Sequence, residues 1–144
     1  MHIVLHVDGG ARGNPGPAAA GVCITDRETA APLFEAGFWL GQTTNNEAEY
    51  QGLIRGLDAA RRLAPKTLSI RADSELMVRQ VEGRYRVKAP NLKPLFRQVV
   101  ERLAELPDWS IEHVRRNHNE RADGLANLAM DAQRDVVVSP LPEG

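Results

Sequence analysis

Hydrophobic and polar positions in the first third of the chain predict β-strands. Met1–Asp8 (MHIVLHVD) is a nearly continuous run of aliphatic and β-branched residues, typical of a strand buried on both faces at the centre of a sheet. Further strands are predicted near Gly21–Thr25 and at Leu33–Leu40, and their short connections favour an antiparallel meander. The intervening DGGARGNPGPAAAG segment is rich in Gly and Pro, which predicts a tight loop.

The pattern then changes to helical spacing. Thr44 and Glu47 form a capping-box pair at the predicted helix start, with Asn45 as a competing cap, and Pro65 ends the helix. The positions predicted to face the sheet recur every three or four residues: Glu49, Leu53, Leu57, Ala60 and Ala64.

The rest of the chain alternates between short strands and helices. The predicted elements are a strand at Thr67–Ala72, a helix at Ser74–Gln80, a helix at Asn91–Leu106, a strand at Trp109–Val114 and a helix at Asn119–Ala132. The order βββαβααβα predicts an α/β fold with a mixed five-stranded sheet, in which parallel strands follow three antiparallel ones and helices cover both faces. We expect one domain over residues 1–134. Residues 135–144 form an apolar and then Pro-rich tail, which fits either a short edge strand or a frayed end.

Composition limits the class of protein. The 144 residues are 42% hydrophobic and 26% charged, as in a globular domain of ordinary size. No apolar stretch approaches the roughly 20 residues needed to span a bilayer, so no membrane partner is expected. No signal peptide is visible, and the single Cys23 cannot form an internal disulfide; both favour a cytoplasmic protein. The net charge of −1 gives no global attraction for nucleic acid, so a polyanion would need a local basic patch.

Four carboxylates occupy positions where burial is costly. Asp8 and Asp73 end two strands that are predicted to be parallel neighbours. Glu49 opens the sheet-facing stripe of the first helix, and Asp123 lies early in the last one. Sites in open α/β sheets form at the carboxyl ends of strands, so the four acids could converge there. Taken singly, each acid also fits a surface or capping role: Asp123 could complement a helix dipole, and Asp73 could be an N-cap.

A cluster of four carboxylates would repel itself unless one stays protonated or divalent cations neutralise the set. All-oxygen ligands select hard ions such as Mg²⁺ or Mn²⁺, and no Cys or His cluster at metal spacing indicates zinc. Two such ions about 3.5–4 Å apart can activate a water and stabilise the leaving oxygen of a phosphodiester. No GxSxG or P-loop motif offers a different chemistry.

The motifs around these acids resemble those of type 1 ribonuclease H over roughly Met1–Asp131. They are DGGARGNPGPAAAG with Asp8, TTNNEAEYQGL with Glu49, RADSELMV with Asp73 and NERADGLAN with Asp123. The resemblance implies the ribonuclease H-like fold and a metal-dependent endoribonuclease that cuts the RNA strand of RNA–DNA hybrids, leaving 3′-hydroxyl and 5′-phosphate ends. It implies that the four acids bind two Mg²⁺ ions, which Mn²⁺ can replace. We expect a monomer without an obligatory protein partner.

The resemblance also implies substrate contacts in these motifs. The expected contacts are Gly9, Gly10, Arg12, Asn14, Asn45, Asn46 and Ser74. Glycines let the backbone approach a sugar closely, and Asn amides can reach base edges or the 2′-hydroxyl that distinguishes RNA from DNA. Arg12 is a candidate phosphate contact, although a solvated loop arginine explains it equally well.

The chain departs from the family pattern before the last acid. The family commonly has a histidine in a flexible loop there, but VRRNHNERAD leaves almost no loop, and His118 precedes Asp123 by five residues. The resemblance implies that His118 assists catalysis; the alternative is an ordinary residue at a helix start.

The basic handle found in some family members is reduced here to GRYRVKAPNLK. Basic residues cluster around Tyr85 and recur before the last helix: Arg84, Arg86, Lys88, Lys93, Arg97, Arg115, Arg116 and Arg121. Such a surface suits a polyanion, although a solvated charged face is the alternative.

Three other functions remain open. One is a related superfamily nuclease acting on other nucleic-acid structures, such as a junction resolvase or the nuclease domain of a reverse transcriptase. Another is a non-catalytic hybrid-binding module, which would require the loss of at least one metal ligand. The third is a phosphoesterase of small molecules, which would leave the basic residues unexplained. The GNPG and TTNN elements beside their acids favour the hybrid ribonuclease.

Overall fold

The computed structural model describes residues 1–142, and the last two residues of the predicted tail lie outside this range. The elements are β1 His2–Ala11, β2 Gly16–Asp26, β3 Pro32–Thr43, α1 Asn45–Arg62, β4 Thr67–Ala72, α2 Glu75–Val81, α3 Lys93–Leu103, β5 Trp109–His113, α4 Glu120–Ala132 and β6 Val136–Ser139. A 3₁₀ turn over Arg116–His118 precedes α4. The strand order in the sheet is β5-β4-β1-β2-β3-β6.

The sheet is mixed, as predicted. β1, β2 and β3 form an antiparallel meander, whereas β4 pairs in parallel with both β1 and β5. The switch between the two arrangements therefore lies at β1. This confirms the α/β class and the predicted order of the first nine elements.

The predicted number of strands was wrong, because the sheet has six strands rather than five. Part of the tail, Val136–Ser139, pairs antiparallel with β3 and forms an edge strand. Val137 and Val138 remain 55% and 46% exposed in that strand, so burial of the apolar run does not hold it in place. A hydrophobic pattern alone could not separate such an edge strand from a frayed end.

The Gly-rich segment after Asp8 is mostly strand rather than loop. β1 continues to Ala11 and β2 starts at Gly16, so the connection spans only residues 12–15. In this extended ladder Asp8 lies opposite Gly21. Parallel pairing of β1 with β4 ends one residue before Asp8, at Val7 and Ala72. Asp8 therefore lies inside β1 but at the point where the two parallel strands separate.

Helices cover both faces of the sheet, as predicted. Alternate residues of β1, among them Leu5 and Val7, pack against Leu53 and Leu57 of α1 in the main core. The opposite face of β2 meets α4, whose backbone lies directly against Gly21. In the part of the chain that the structure describes, no helix has the length and apolar character needed to cross a membrane.

Candidate active site

The four predicted acids come together at the carboxyl edge of β1 and β4. Asp8 is only 9% exposed, and Asp73 directly follows β4. Glu49 lies in the second turn of α1 and Asp123 in the first turn of α4. These elements belong to different layers, so the cluster exists only in the folded chain.

Gly9 explains how Glu49 reaches Asp8. A Cβ at Gly9 would lie 2.3 Å from the carbonyl oxygen of Ala48, a distance that no side chain tolerates. The start of α1 can therefore rest directly on β1 only because position 9 has no side chain. This contact places Glu49, the residue after Ala48, beside the carboxylate of Asp8.

Carboxylate oxygens of Asp8, Glu49 and Asp73 lie within 4.8 Å of one another. Asp123 is outside this tight group but lines the same cavity, which has a volume of about 520 Å³ and opens to solvent. The structure thus brings together all four predicted acids: three have carboxylate oxygens within 4.8 Å of one another, and Asp123 approaches Asp8 from the cavity wall formed by α4.

Burial and mutual repulsion perturb these acids strongly. Burial, followed by the charge of Asp73 and hydrogen bonding with Asp123, raises the pKa of Asp8 to about 8. Burial and the charges of Asp8 and Asp73 also raise the pKa of Glu49 well above its usual value. The Gly9 backbone N–H and the Arg116 guanidinium oppose that increase, because both favour the ionised form of Glu49.

The cluster fits a divalent cation. All its donors are carboxylate oxygens, the ligand type that Mg²⁺ and Mn²⁺ prefer. Glu49 Oε2 is buried without a hydrogen-bond partner among residues 1–142, which is costly for an acceptor in the absence of another ligand. A hard cation would satisfy this oxygen and offset the repulsion between the acids.

Four of the predicted substrate residues line the same cavity: Gly9, Gly10, Arg12 and Asn45. Arg12 also forms an ion pair with Asp131 of α4, at 2.7 Å between Nη2 and Oδ1. Both side chains are more than half exposed, so this pair contributes little to stability and can open for a phosphate.

The remaining predicted contacts, Asn14, Asn46 and Ser74, do not line the cavity. Asn14 accepts a hydrogen bond from the Asn45 backbone N–H at 3.1 Å, and thereby ties the GNPG loop to α1. Asn45 in turn accepts from the Ala11 backbone N–H at 2.8 Å. Ser74 caps α2 by accepting from the Met77 N–H. Asn14 and Ser74 therefore have structural roles that the sequence motifs did not indicate.

The structure separates His118 from the acids. His118 lines a different cavity of about 290 Å³, together with His6 and Cys23. Arg116, two residues earlier in the 3₁₀ turn, lines the acidic cavity instead. Sequence reasoning placed Arg116 only in a general basic surface, because the direction of each side chain depends on that turn.

The reduced handle forms a separate groove beside α3. Tyr85 and Phe96 contribute apolar surface, and the basic residues in its lining are Arg84, Arg86, Lys93 and Arg97; the groove has a volume of about 710 Å³. Arg121, which was predicted to belong to the basic surface, instead pairs with the buried Glu35.

Comparison with known proteins agrees with this geometry. The family profile described as reverse transcriptase-like matches residues 6–129. The bifunctional protein Rv2228c of Mycobacterium tuberculosis is 42% identical over 132 residues, which are 92% of this chain and 36% of the relative. Ribonuclease HI of Halobacterium salinarum is 41% identical over 129 residues, 90% of this chain and 64% of the relative. The chain thus spans less than two thirds of the length of these curated relatives.

A solved structure matches over nearly all its length. It is LC11-RNase H1 in complex with an RNA/DNA hybrid, with a TM-score of 0.86 and 43% identity, covering 91% of this chain and 98% of that one. The fold and the cluster of acids define a protein of the ribonuclease H-like class. More narrowly, the chain belongs to the type 1 ribonuclease H family.

Proposed function

We propose that this protein is a metal-dependent endoribonuclease that hydrolyses the RNA strand of RNA–DNA hybrids. The observation that carries the proposal is the carboxylate cluster, since Asp8, Glu49 and Asp73 converge at the floor of an open cavity. The relatives named ribonuclease H, and a similar structure that holds an RNA/DNA hybrid, support the choice of substrate.

Asp8, Glu49, Asp73 and Asp123 would hold two Mg²⁺ ions, for which Mn²⁺ can substitute. Bound there, the ions would supply an activated water and charge stabilisation for the leaving 3′-oxygen. Water attack on the phosphorus with departure of that oxygen gives 5′-phosphate and 3′-hydroxyl ends. The residues of the chain orient the phosphate and hold the acids in place.

Residues along the cavity would position the RNA strand. Gly9 and Gly10 line the cavity close to the acids, and at Gly10 the missing side chain leaves space for a sugar to approach the backbone. Asn45 presents an amide at the cavity wall, and an amide can bond a 2′-hydroxyl, the group that DNA lacks. Asn14, Asn46 and Ser74 would contact the hybrid farther from the acids, or support residues that do.

Arg116 would assist at the acids. The guanidinium of Arg116 lines the cavity, and its positive charge lowers the pKa of Glu49. The same charge can attract the scissile phosphate and stabilise the negative charge that builds up on the phosphate during the reaction. His118 would assist from a greater distance, at product release or at the adjacent phosphate. The groove beside Tyr85 would add phosphate contacts that position the hybrid without reading its sequence.

The proposal is tested by incubating the protein with end-labelled RNA–DNA hybrid, double-stranded RNA and double-stranded DNA, each with Mg²⁺ and with EDTA. We expect cleavage of the hybrid alone, within the RNA strand, and only with metal. Cleavage of double-stranded DNA or of branched DNA would favour another nuclease of the superfamily. Binding of the hybrid without cleavage would favour a non-catalytic module. We further propose that the protein acts in the cytoplasm. We also propose that it is a monomer, and sedimentation at working concentration measures its oligomeric state.

A further inference from the structure

Asn119 is the buried residue in an otherwise exposed segment. Asn119 retains only 1% of its accessible surface, whereas the other six residues from Arg115 to Arg121 are all exposed. An Asn at a helix N-cap normally accepts a hydrogen bond from the first turn of its own helix. Within the described chain, the Asn119 side chain makes no such bond to α4. Instead, Nδ2 donates to the carbonyl oxygen of Val7 at 2.8 Å, across 112 residues of sequence.

The partner carbonyl occupies a special place in the sheet. Parallel pairing between β1 and β4 ends at Val7 and Ala72, and the two strands separate beyond this pair. Asn119 inserts its amide at that separation and bonds the peptide group that directly precedes Asp8. The backbone carbonyl of Asn119 in turn accepts the N–H of Asp123 at 3.1 Å. One buried residue therefore links the backbone at Asp8 to the backbone at Asp123.

We infer that Asn119 is a positioning residue that sets Asp123 relative to Asp8 and thereby tunes the affinity of the site for divalent cations. This inference rests on the proposed function, since it assumes that both acids bind metal. Groups that orient metal ligands without touching the metal typically change affinity or activity by about 10–100-fold. This bond fixes the start of α4 to the backbone at Asp8, in addition to the packing of Ala122 against Gly21.

Stability alone is a weak reason for an amide at this position. Asn119 Oδ1 is buried without a hydrogen-bond partner among residues 1–142. The desolvation cost of such an orphaned acceptor opposes what the bond to Val7 contributes. An amide that fixes the position of Asp123 relative to Asp8 explains this residue better than stability does.

The test is a calorimetric titration of Mn²⁺ into the wild-type protein, Asn119→Ala and Asn119→Leu, where the leucine keeps the branched arrangement of heavy atoms but has no polar group. Tyr50→Phe is the control, because it also removes a buried hydrogen bond, from Tyr50 Oη to Gln80, but Tyr50 does not line the acidic cavity. We expect both Asn119 variants to bind Mn²⁺ about ten-fold more weakly and Tyr50→Phe to bind it like the wild type. With hybrid as substrate, kcat should fall in the Asn119 variants while KM stays unchanged.

The same titration in an Asp123→Ala background tests the route of the effect. If Asn119 acts through Asp123, adding Asn119→Ala to Asp123→Ala should produce no further loss of affinity. Unchanged Mn²⁺ affinity in the single variants, an additive loss in the double variant, or unfolding of both Asn119 variants would overturn the inference. A wild-type protein that binds no Mn²⁺ would contradict the proposed function itself, which is a distinct outcome.

Discussion

Gly21 lies so close to Ala122 that a Cβ at position 21 would fall 1.8 Å from the Ala122 carbonyl oxygen. Gly21 is also the residue opposite Asp8 in the β1–β2 ladder. The missing side chain lets the first turn of α4 rest on the sheet directly behind Asp8. Asp123, the residue after Ala122, reaches the acidic cavity for this reason.

Gly21→Ala should therefore damage both stability and the site. The added methyl group meets backbone rather than a movable side chain, so α4 must shift. We expect a loss of about 3 kcal/mol in the free energy of unfolding, at the upper end for overpacking. Urea denaturation measures the loss, and a lower kcat in protein that is still folded would report the displacement of Asp123.

Gly124→Ala is the matched control, because it adds the same methyl group to the same helix. Apart from its chain neighbours and the nearby backbone of its own helix, no described heavy atom lies within 4 Å of a Cβ at position 124. Replacing an unhindered helical Gly by Ala should stabilise the protein by about 0.5–1 kcal/mol. Equal effects of the two substitutions would mean that the Gly21 contact does not limit the approach of α4.

Arg116→Ala should lower the rate of hybrid cleavage more than His118→Ala does. Arg116 lines the acidic cavity and acts on Glu49, whereas His118 lines another cavity. We expect about a ten-fold or greater fall in kcat for Arg116→Ala, since a charge that stabilises the transition state is lost. We expect a smaller fall in kcat for His118→Ala, measured in the same steady-state assay, because product release contributes to that rate.

Arg115→Ala removes an equal charge from the neighbouring exposed position, which does not line the cavity. It should weaken hybrid binding slightly without changing kcat. A larger fall in kcat for His118→Ala than for Arg116→Ala would indicate that His118 has the more important catalytic role. An unchanged kcat for His118→Ala would indicate that His118 has only a structural role.

The ion pair between Glu35 and Arg121 should make stability depend on pH. Hydrogen bonds from Arg121 and Ser139 lower the pKa of the buried Glu35 below its usual value of 4.5. The folded state therefore favours the ionised carboxylate, and this stabilisation is complete above the unfolded pKa. It is lost as the pH falls below about 4.5, through the lower folded pKa.

Glu35→Gln isolates this contribution. The variant should be less stable than the wild type at pH 7, by about 1–3 kcal/mol, and the difference should shrink as the pH falls from 5 to 3. Asp58→Asn serves as the control, since it breaks a more exposed ion pair with Arg102 and should change stability by less than about 1 kcal/mol. A Glu35→Gln difference that is constant with pH would show that the charge is not what stabilises the contact.

Sequence patterns predicted the helices, the mixed sheet and the four acids because each follows from local rules. Strand ends, cap residues and helical spacing are visible without the fold, and so is a carboxylate placed on an apolar element. Gly9 was interpreted as part of a loop and Gly21 as the start of a strand. Neither pattern indicated that the missing side chains admit helix backbone, from α1 at Gly9 and from α4 at Gly21. That function depends on partners distant in sequence.

The sequence did not indicate the roles of Asn119 and Arg116 because these roles also depend on the folded structure. Asn119 donates a hydrogen bond to the carbonyl oxygen of Val7, 112 residues away, and no local pattern reveals that contact. Arg116 and His118 lie in one 3₁₀ turn, whose geometry decides which of them faces the acids. For β6 the sequence left an edge strand and a frayed end as alternatives, because an exposed valine edge strand has the composition of a loose terminus.

The most direct test of metal-dependent hydrolysis compares wild type and Asp8→Asn in cleavage and in binding of the same RNA–DNA hybrid across a Mg²⁺ titration. The substitution preserves size and removes the negative charge of one proposed metal ligand, while phosphate contacts elsewhere stay intact. We predict Mg²⁺-dependent cleavage by the wild type, none by Asp8→Asn, and similar hybrid affinity for both. Cleavage retained by Asp8→Asn in Mg²⁺, or wild-type cleavage that persists in EDTA, would contradict the metal-dependent mechanism.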